Sequence, residues 1–208
     1  MENGYKVAQK DATYEFIEKK SRFISYLACV HTESEAKEFI DEIRARHRDA
    51  THNCVAYRLR EPRVERFSDD GEPAGTAGMP MLEVLKKEDV YDVCVVVTRY
   101  FGGILLGGGG LIRAYSKGVS DVLAESGFAT RLESVTLSLT FTYSAYQKVQ
   151  QLLETTVHTG EESEFSENVT MRVTLRADEY DSFLEKVRDL LCGDVEICEI
   201  SRGFDSFK

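Results

Sequence analysis

No stretch of this 208-residue chain is apolar for long enough to cross a membrane. The most apolar run, Val93 to Val97, is five residues, whereas a helical span needs about 20. The opening Met-Glu-Asn-Gly-Tyr-Lys lacks a basic start followed by an apolar segment, so no secretory signal is expected. The five cysteines (Cys29, Cys54, Cys94, Cys192, Cys198) are odd in number and contain no Cys-x-x-Cys pair, which speaks against a disulfide framework. Cys54 and Cys94 fall in apolar, strand-like runs and read as buried free thiols, so a reducing cytoplasm is the expected compartment. Asn168-Val169-Thr170 has the form of a glycosylation sequon, which means nothing without secretion. Positive charge is scarce as well. With 26 Lys/Arg against 36 Asp/Glu the net charge is −10, which excludes a chain that coats nucleic acid indiscriminately. No DNA specificity and no membrane partner are expected.

What is present is the composition of an ordinary soluble protein, 42% hydrophobic and 30% charged. The length suits one large domain or two small ones with a real core. The charge is uneven: residues 1–130 hold 18 Lys/Arg against 21 Asp/Glu, and residues 131–208 hold 8 against 15. An anionic partner should therefore prefer the first part. The acidic run Glu161, Glu162, Glu164 and Glu167 in the second would repel RNA and suits a protein partner.

Hydrophobic spacing predicts strands over residues 5–7, 13–17 and 23–30, with a hairpin turn at 18–21. A helix follows over 33–46, capped by Thr32 or Ser34, then a strand over 52–59 with Cys54, Ala56 and Arg58 on one face. An irregular loop runs on through Ala77. Beyond it the pattern gives a short helix over 79–87, a strand over 93–100 apolar on both faces, and a helix from near Gly110 to a C-cap at Gly127. From residue 133 the order is strand 135–141, helix 145–153, strands 157–165 and 169–175, helix 179–191 and strand 195–200. That β-α-β-β-α-β order is ferredoxin-like. The chain is therefore read as α+β, with domains over 1–130 and 131–208.

Two segments are not explained by core packing. One is the loop Ser68-Asp69-Asp70-Gly71-Glu72-Pro73-Ala74-Gly75-Thr76-Ala77-Gly78, and the other runs from Thr98-Arg99-Tyr100-Phe101-Gly102-Gly103 through Gly107-Gly108-Gly109-Gly110 to Arg113 and Lys117. With His47-Arg48-Asp49-Ala50 and His52-Asn53-Cys54-Val55-Ala56-Tyr57, these segments closely resemble the IMPACT/YigZ family in its two-domain bacterial form. One departure is Gly108, where the family usually carries Thr or Ala. The resemblance implies a first domain similar to the second domain of ribosomal protein S five, a β-α sandwich. It implies a second, ferredoxin-like domain similar to domain V of elongation factor G. Eukaryotic relatives are linked to regulation of translation through a starvation-sensing kinase pathway, but with a different second domain. The family supplies no catalytic residue set.

The residues themselves leave several chemistries open. A helix starting in the glycines presents free amides and its positive dipole end to an anion, with Arg99, Tyr100, Arg113 and Lys117 nearby. Glycines there also serve tight turning. No G-x-G-x-x-G in register and no Lys-Ser/Thr follows, so this is not a nucleotide fingerprint. Asp69, Asp70, Glu72 and His52 could take a hard cation such as magnesium, or Asp69 and Asp70 could hydrogen-bond their own turn and accept from Arg99 or Arg66. His52 is the general-base candidate if a reaction is catalysed. Tyr57, Tyr100, Phe101 and Tyr115 could stack bases or belong to the core. The leading expectation is a cytoplasmic, non-enzymatic, translation-associated regulatory factor that binds RNA or the ribosome through Arg99, Tyr100, Gly102, Gly103, Gly107–Gly110, Arg113 and Lys117. The alternatives are a metal-dependent enzyme on a small phosphorylated or peptide-like substrate, or a protein-interaction module.

Overall fold

The computed structural model describes residues 4–207. Residues 1–3, where the stretch read for a secretory signal begins, and residue 208 lie outside it. The elements in chain order are β1 Gly4–Ala8, β2 Ala12–Glu18, β3 Ser21–Cys29, α1 Glu33–Arg46, β4 His52–Leu59 and β5 Val64–Ser68. They continue with α2 Gly78–Lys87, β6 Val90–Tyr91, β7 Val93–Tyr100, α3 Gly108–Ser126 and β8 Phe128–Phe141. The last five are α4 Tyr146–Glu154, β9 His158–Phe165, β10 Val169–Arg176, α5 Tyr180–Leu190 and β11 Glu196–Asp205. The chain divides into two compact units, residues 5–129 and residue 4 with residues 130–207, and β8 runs across the division.

In the first unit an antiparallel sheet has the strand order β2-β3-β7-β4-β5. The run Val93-Cys94-Val95-Val96-Val97 becomes its centre because helices cover both faces. Val93, Val95 and Val97 point with Cys54 and Ala56 towards α2 and α3, in a core with Met81, Leu85, Tyr115 and Val119. Cys94 and Val96 point the other way, with Val55, Tyr57 and Leu59, onto Ala36, Ile40 and Ile43 of α1. The sheet is thus sandwiched, and β4 is buried on the face opposite Cys54, Ala56 and Arg58 as well. Its residues Asn53–Leu59 are buried throughout.

The helix α1 starts where sequence chemistry says it should. Thr32 Oγ1 accepts from the Glu35 amide at 3.2 Å, and the Glu35 carboxylate reaches back to the His31 amide at 2.7 Å. Each fully buried Ile of its inner face contributes about 1.5–3 kcal/mol. Truncating Ile43 to Ala would cost roughly 2–5 kcal/mol. The β2–β3 turn is tight without glycine: Lys19 and Lys20 both take positive φ, 45° and 64°.

In the second unit the strand order is β11-β8-β10-β9, with all pairs antiparallel. This is the order of a β-α-β-β-α-β ferredoxin-like arrangement. Val135, Leu137, Leu139 and Phe141 face Val149, Leu153, Phe183 and Val187 of α4 and α5. The observed class is α+β. Several boundaries differ from expectation. Val64-Glu65-Arg66-Phe67-Ser68 pairs with β4 as an edge strand, although only two of its side chains are apolar. β8 begins seven residues early, at Phe128 rather than 135. α3 begins at Gly108 rather than Gly110, so three consecutive glycines make its first turn.

Candidate functional site

The loop over residues 68–78 has no strand or helix of its own, yet it is tied down at every polar group that matters. The Asp69 carboxylate accepts from the amides of Gly75, Ala77 and Gly78 at 2.9, 3.1 and 2.8 Å, which closes the loop and caps the start of α2. Asp70, at φ 45°, accepts from the Asn53 amide at 2.7 Å and from Arg44 at 3.3 Å. The main-chain carbonyl of Asp69 accepts from the Cys54 thiol, and that of Asp70 is 2.8 Å from His52 Nδ1. Since a carbonyl only accepts, Nδ1 of His52 carries the proton. Among the described residues no group of three or more His, Cys, Asp and Glu is placed to hold a metal ion. The four candidates for cation binding are parted: Asp69 and Asp70 turn to amides, and only His52 and Glu72 meet.

Beneath the loop lies a buried ionic cluster. Glu72, Arg99 and Tyr115 are 7%, 5% and 0% exposed. Arg99 Nη1 donates to Glu72 Oε1 at 2.6 Å and the Tyr115 hydroxyl donates to the same oxygen at 2.7 Å. Arg99 Nη2 donates to Ser21 Oγ at 3.3 Å, while its buried Nε has no hydrogen-bond partner. Burial pushes the Tyr115 hydroxyl well above the ordinary tyrosine range, so it stays a donor. Burial likewise pushes the Cys54 thiol up to about 12, so it is neutral and no nucleophile. The other oxygen, Glu72 Oε2, stands 3.9 Å from His52 Nε2.

Several candidate residues change role here. The sequence offers Arg99 to an anion or to Asp69 and Asp70, but its guanidinium belongs to Glu72 because an unpaired charge could not be buried there. Tyr100, next along the strand, points to the opposite face of the sheet, where its hydroxyl meets His47 Nδ1 at 2.8 Å and Asp49 at 3.3 Å. Gly102 donates its amide to Ser21 Oγ, and a Cβ there would lie 2.0 Å from the Lys20 carbonyl oxygen, so it is a packing glycine. Tyr57 and Tyr115 are core residues with no free ring face. Phe101 remains, 46% exposed.

The rest of the glycine segment behaves differently. Gly107 (φ 74°) turns the chain into α3 and supplies no side-chain cap. The first intrahelical bond runs from the Leu111 amide to the Gly107 carbonyl at 2.9 Å, which leaves the amides of Gly108, Gly109 and Gly110 without helical partners. They stand between two concavities. A cleft of about 390 Å³ is walled by Gly107, Gly108, Phe101, Leu105 and Leu106, with His52, Glu72 and Arg99 on its polar side. A neighbouring hollow of about 230 Å³ is lined by Gly110, Arg113, Lys117 and Lys19 against one acid, Glu18. Arg113 is exposed, makes no ion pair among the described residues, and places Nη1 3.6 Å from where a Gly109 Cβ would lie. Lys117 pairs with Asp121 one turn on. Sequence reasoning missed Tyr115 and Ser21 as partners of the ionic cluster. Tyr115 carries no signal beyond its place in the apolar stripe of α3.

The profile of the Impact N-terminal domain matches residues 19–123 and so spans every residue of the cleft. The IMPACT family member YvyE of Bacillus subtilis is 42% identical over 96% of this chain and 92% of its own length. The chain belongs to the IMPACT family. Another member of the family, YigZ of Escherichia coli, is 38% identical over 88% of this chain and 91% of its own length. The second unit of this IMPACT-family chain matches the domain of unknown function DUF1949 over residues 139–193. A crystal structure described as that of a hypothetical protein aligns over 97% of this chain and 98% of its own, with 36% identity and a TM-score of 0.65.

Proposed function

We infer that this protein is a cytoplasmic, translation-associated regulatory factor that binds RNA, free or in the ribosome, through phosphate contacts at the start of α3. The observation that carries the reading is the uncapped first turn Gly108-Gly109-Gly110 beside the exposed Arg113. Three free amides and a positive dipole end favour an anion, and Lys19 and Lys117 extend positive charge into the adjoining hollow. The link to translation comes from the family, whose eukaryotic members are tied to its regulation. The anionic partner is assigned to the first unit because the second, with 8 Lys/Arg against 15 Asp/Glu over residues 131–208, repels phosphate and suits a protein.

The test is RNA binding by the full chain as a function of salt. If two or three phosphates are neutralised, the logarithm of affinity should fall with the logarithm of salt at a slope of roughly −1.5 to −3. Arg113→Glu should weaken binding and flatten the slope. Gly108→Pro should also weaken it, because it removes one amide at a position where proline is tolerated in a helix. Arg99→Glu is a poor probe, since it would place two carboxylates together in the interior. A slope of zero, or equal binding by both surface variants and the wild type, refutes the reading.

A further inference from the structure

The cleft is too large and too apolar to be a phosphate site alone. Its volume of about 390 Å³ falls in the range of pockets that hold a small organic molecule, roughly 300–1,000 Å³. Phe101 contributes a half-exposed ring with the Arg99 guanidinium carbon 5.5 Å from its centroid. Leu105 and Leu106 add an apolar wall, and the polar side carries an unmet demand. Glu72 is 7% exposed, and Oε1 takes both of its short hydrogen bonds. Oε2 has only His52 Nε2 near it, at 3.9 Å, beyond hydrogen-bond length. In the single-proton form of His52 the Asp70 carbonyl holds the proton on Nδ1, which makes Nε2 an acceptor as well. Two acceptors therefore face each other at the cleft wall. The same wall includes Arg99, 5% exposed, whose Nε is unpartnered.

We propose that this cleft takes one unstacked nucleobase carrying an exocyclic amine, adenine foremost, whose phosphate rests on the Gly108–Gly110 amides. An amino group has two hydrogens, and 3.9 Å between two acceptors lets one nitrogen donate to both within ordinary hydrogen-bond lengths. The base lies on Phe101, as aromatic rings serve in single-strand recognition. Uracil has no such amine and leaves one acceptor unmet. The proposal rests on the anion reading above and adds to it the identity of what fills the cleft. The ligand is a nucleotide with a free base, supplied by single-stranded RNA or as a free mononucleotide.

The experiment is calorimetric or NMR titration of the full chain with inorganic phosphate, AMP, UMP, and ten-residue oligo-A and oligo-U. AMP should bind at least about tenfold more tightly than UMP, the loss expected for a missing hydrogen bond to a charged group, and more tightly than phosphate. Phe101→Ala, a change at an exposed position, should weaken AMP roughly fivefold or more and leave phosphate unchanged. Gly108→Pro should weaken AMP and phosphate alike. Oligo-A binding more tightly than AMP assigns the nucleotide to RNA, whereas AMP binding without oligo-A assigns it to a free nucleotide and ends the RNA reading. Equal affinity for AMP, UMP and phosphate, indifferent to Phe101→Ala, overturns the nucleobase cleft. The anion reading survives that result if Gly108→Pro still weakens phosphate, and falls with it if it does not.

Discussion

In residues 5–129, Arg58, Glu72, Asp92 and Arg99 are buried with their charges, and Asn53 and Thr98 with their dipoles. In residues 130–207 Ser134 is the one buried polar side chain among the described residues. Both units have an antiparallel sheet and an apolar core. Polar side chains in the second unit lie on the outer face of its sheet, where Thr136 and Thr174 join hydroxyls at 2.9 Å. Ion pairs buried as Arg99 and Glu72 are rarely more stabilising than apolar residues of the same shape. A domain that keeps them is holding groups in fixed positions. In the first unit the Arg99–Glu72 pair forms part of the cleft wall, and among the described residues of the second no charged side chain is buried.

The largest test removes one partner. Glu72→Ala leaves a buried guanidinium and a buried hydroxyl unanswered and should destabilise the first unit by about 3–5 kcal/mol. Hydrogen exchange should show β3, β4 and β7 losing protection while β8 and β10 keep theirs, and Cys54 should become open to thiol reagents. The exposed pair Glu199–Arg202 of β11 is the control, and Glu199→Ala should leave the unfolding midpoint where it was. Equal effects from the two changes would erase the contrast between the units. Asp69→Ala should come next, at roughly 1–3 kcal/mol, because three amides lose their acceptor. Faster exchange at Gly75, Ala77 and Gly78 measures it, and unchanged exchange there would show the loop to be held by something else. Tyr115→Phe should cost about 1.5–3 kcal/mol, one hydrogen bond to a buried carboxylate, read from the urea midpoint.

The smallest effect concerns pH. His47 lies between the Tyr26 and Tyr100 hydroxyls, at 2.7 and 2.8 Å. Burial, then Arg46, holds its imidazole below the ordinary value of 6.5. The folded state therefore favours the neutral ring. Its contribution is complete above about pH 6.5 and is lost as pH falls through the lowered value. His47→Gln should remove that slope from the first unit, and a slope that persists between pH 6.5 and 5 would assign it to other groups.

Much of this was legible in the residues. The bounds of α1, β4 and β7 follow from spacing and capping, because each element buries a regular set of side chains. Val64–Ser68 was not legible, since an edge strand answers to its neighbour β4 more than to its own pattern. The start of α3 was hidden because glycine has no helical preference to reveal, and only the turn at Gly107 fixes it. In the candidate site, the sequence singles out the two segments but not how their charges pair. Arg99 could be read towards an anion or towards Asp69 and Asp70, because nothing in a linear chain tells that Glu72, 27 positions earlier, is the carboxylate that folds onto it.

Gly102 ties these parts together. With the Lys20 carbonyl oxygen only 2.0 Å from where a methyl would project, the β2–β3 turn is pressed against the exit of β7. The same turn carries Lys19 into the basic hollow, and the same exit carries Phe101 into the cleft. A single added carbon at that contact must wedge the two segments apart. It would disturb both recesses at once while touching the lining of neither.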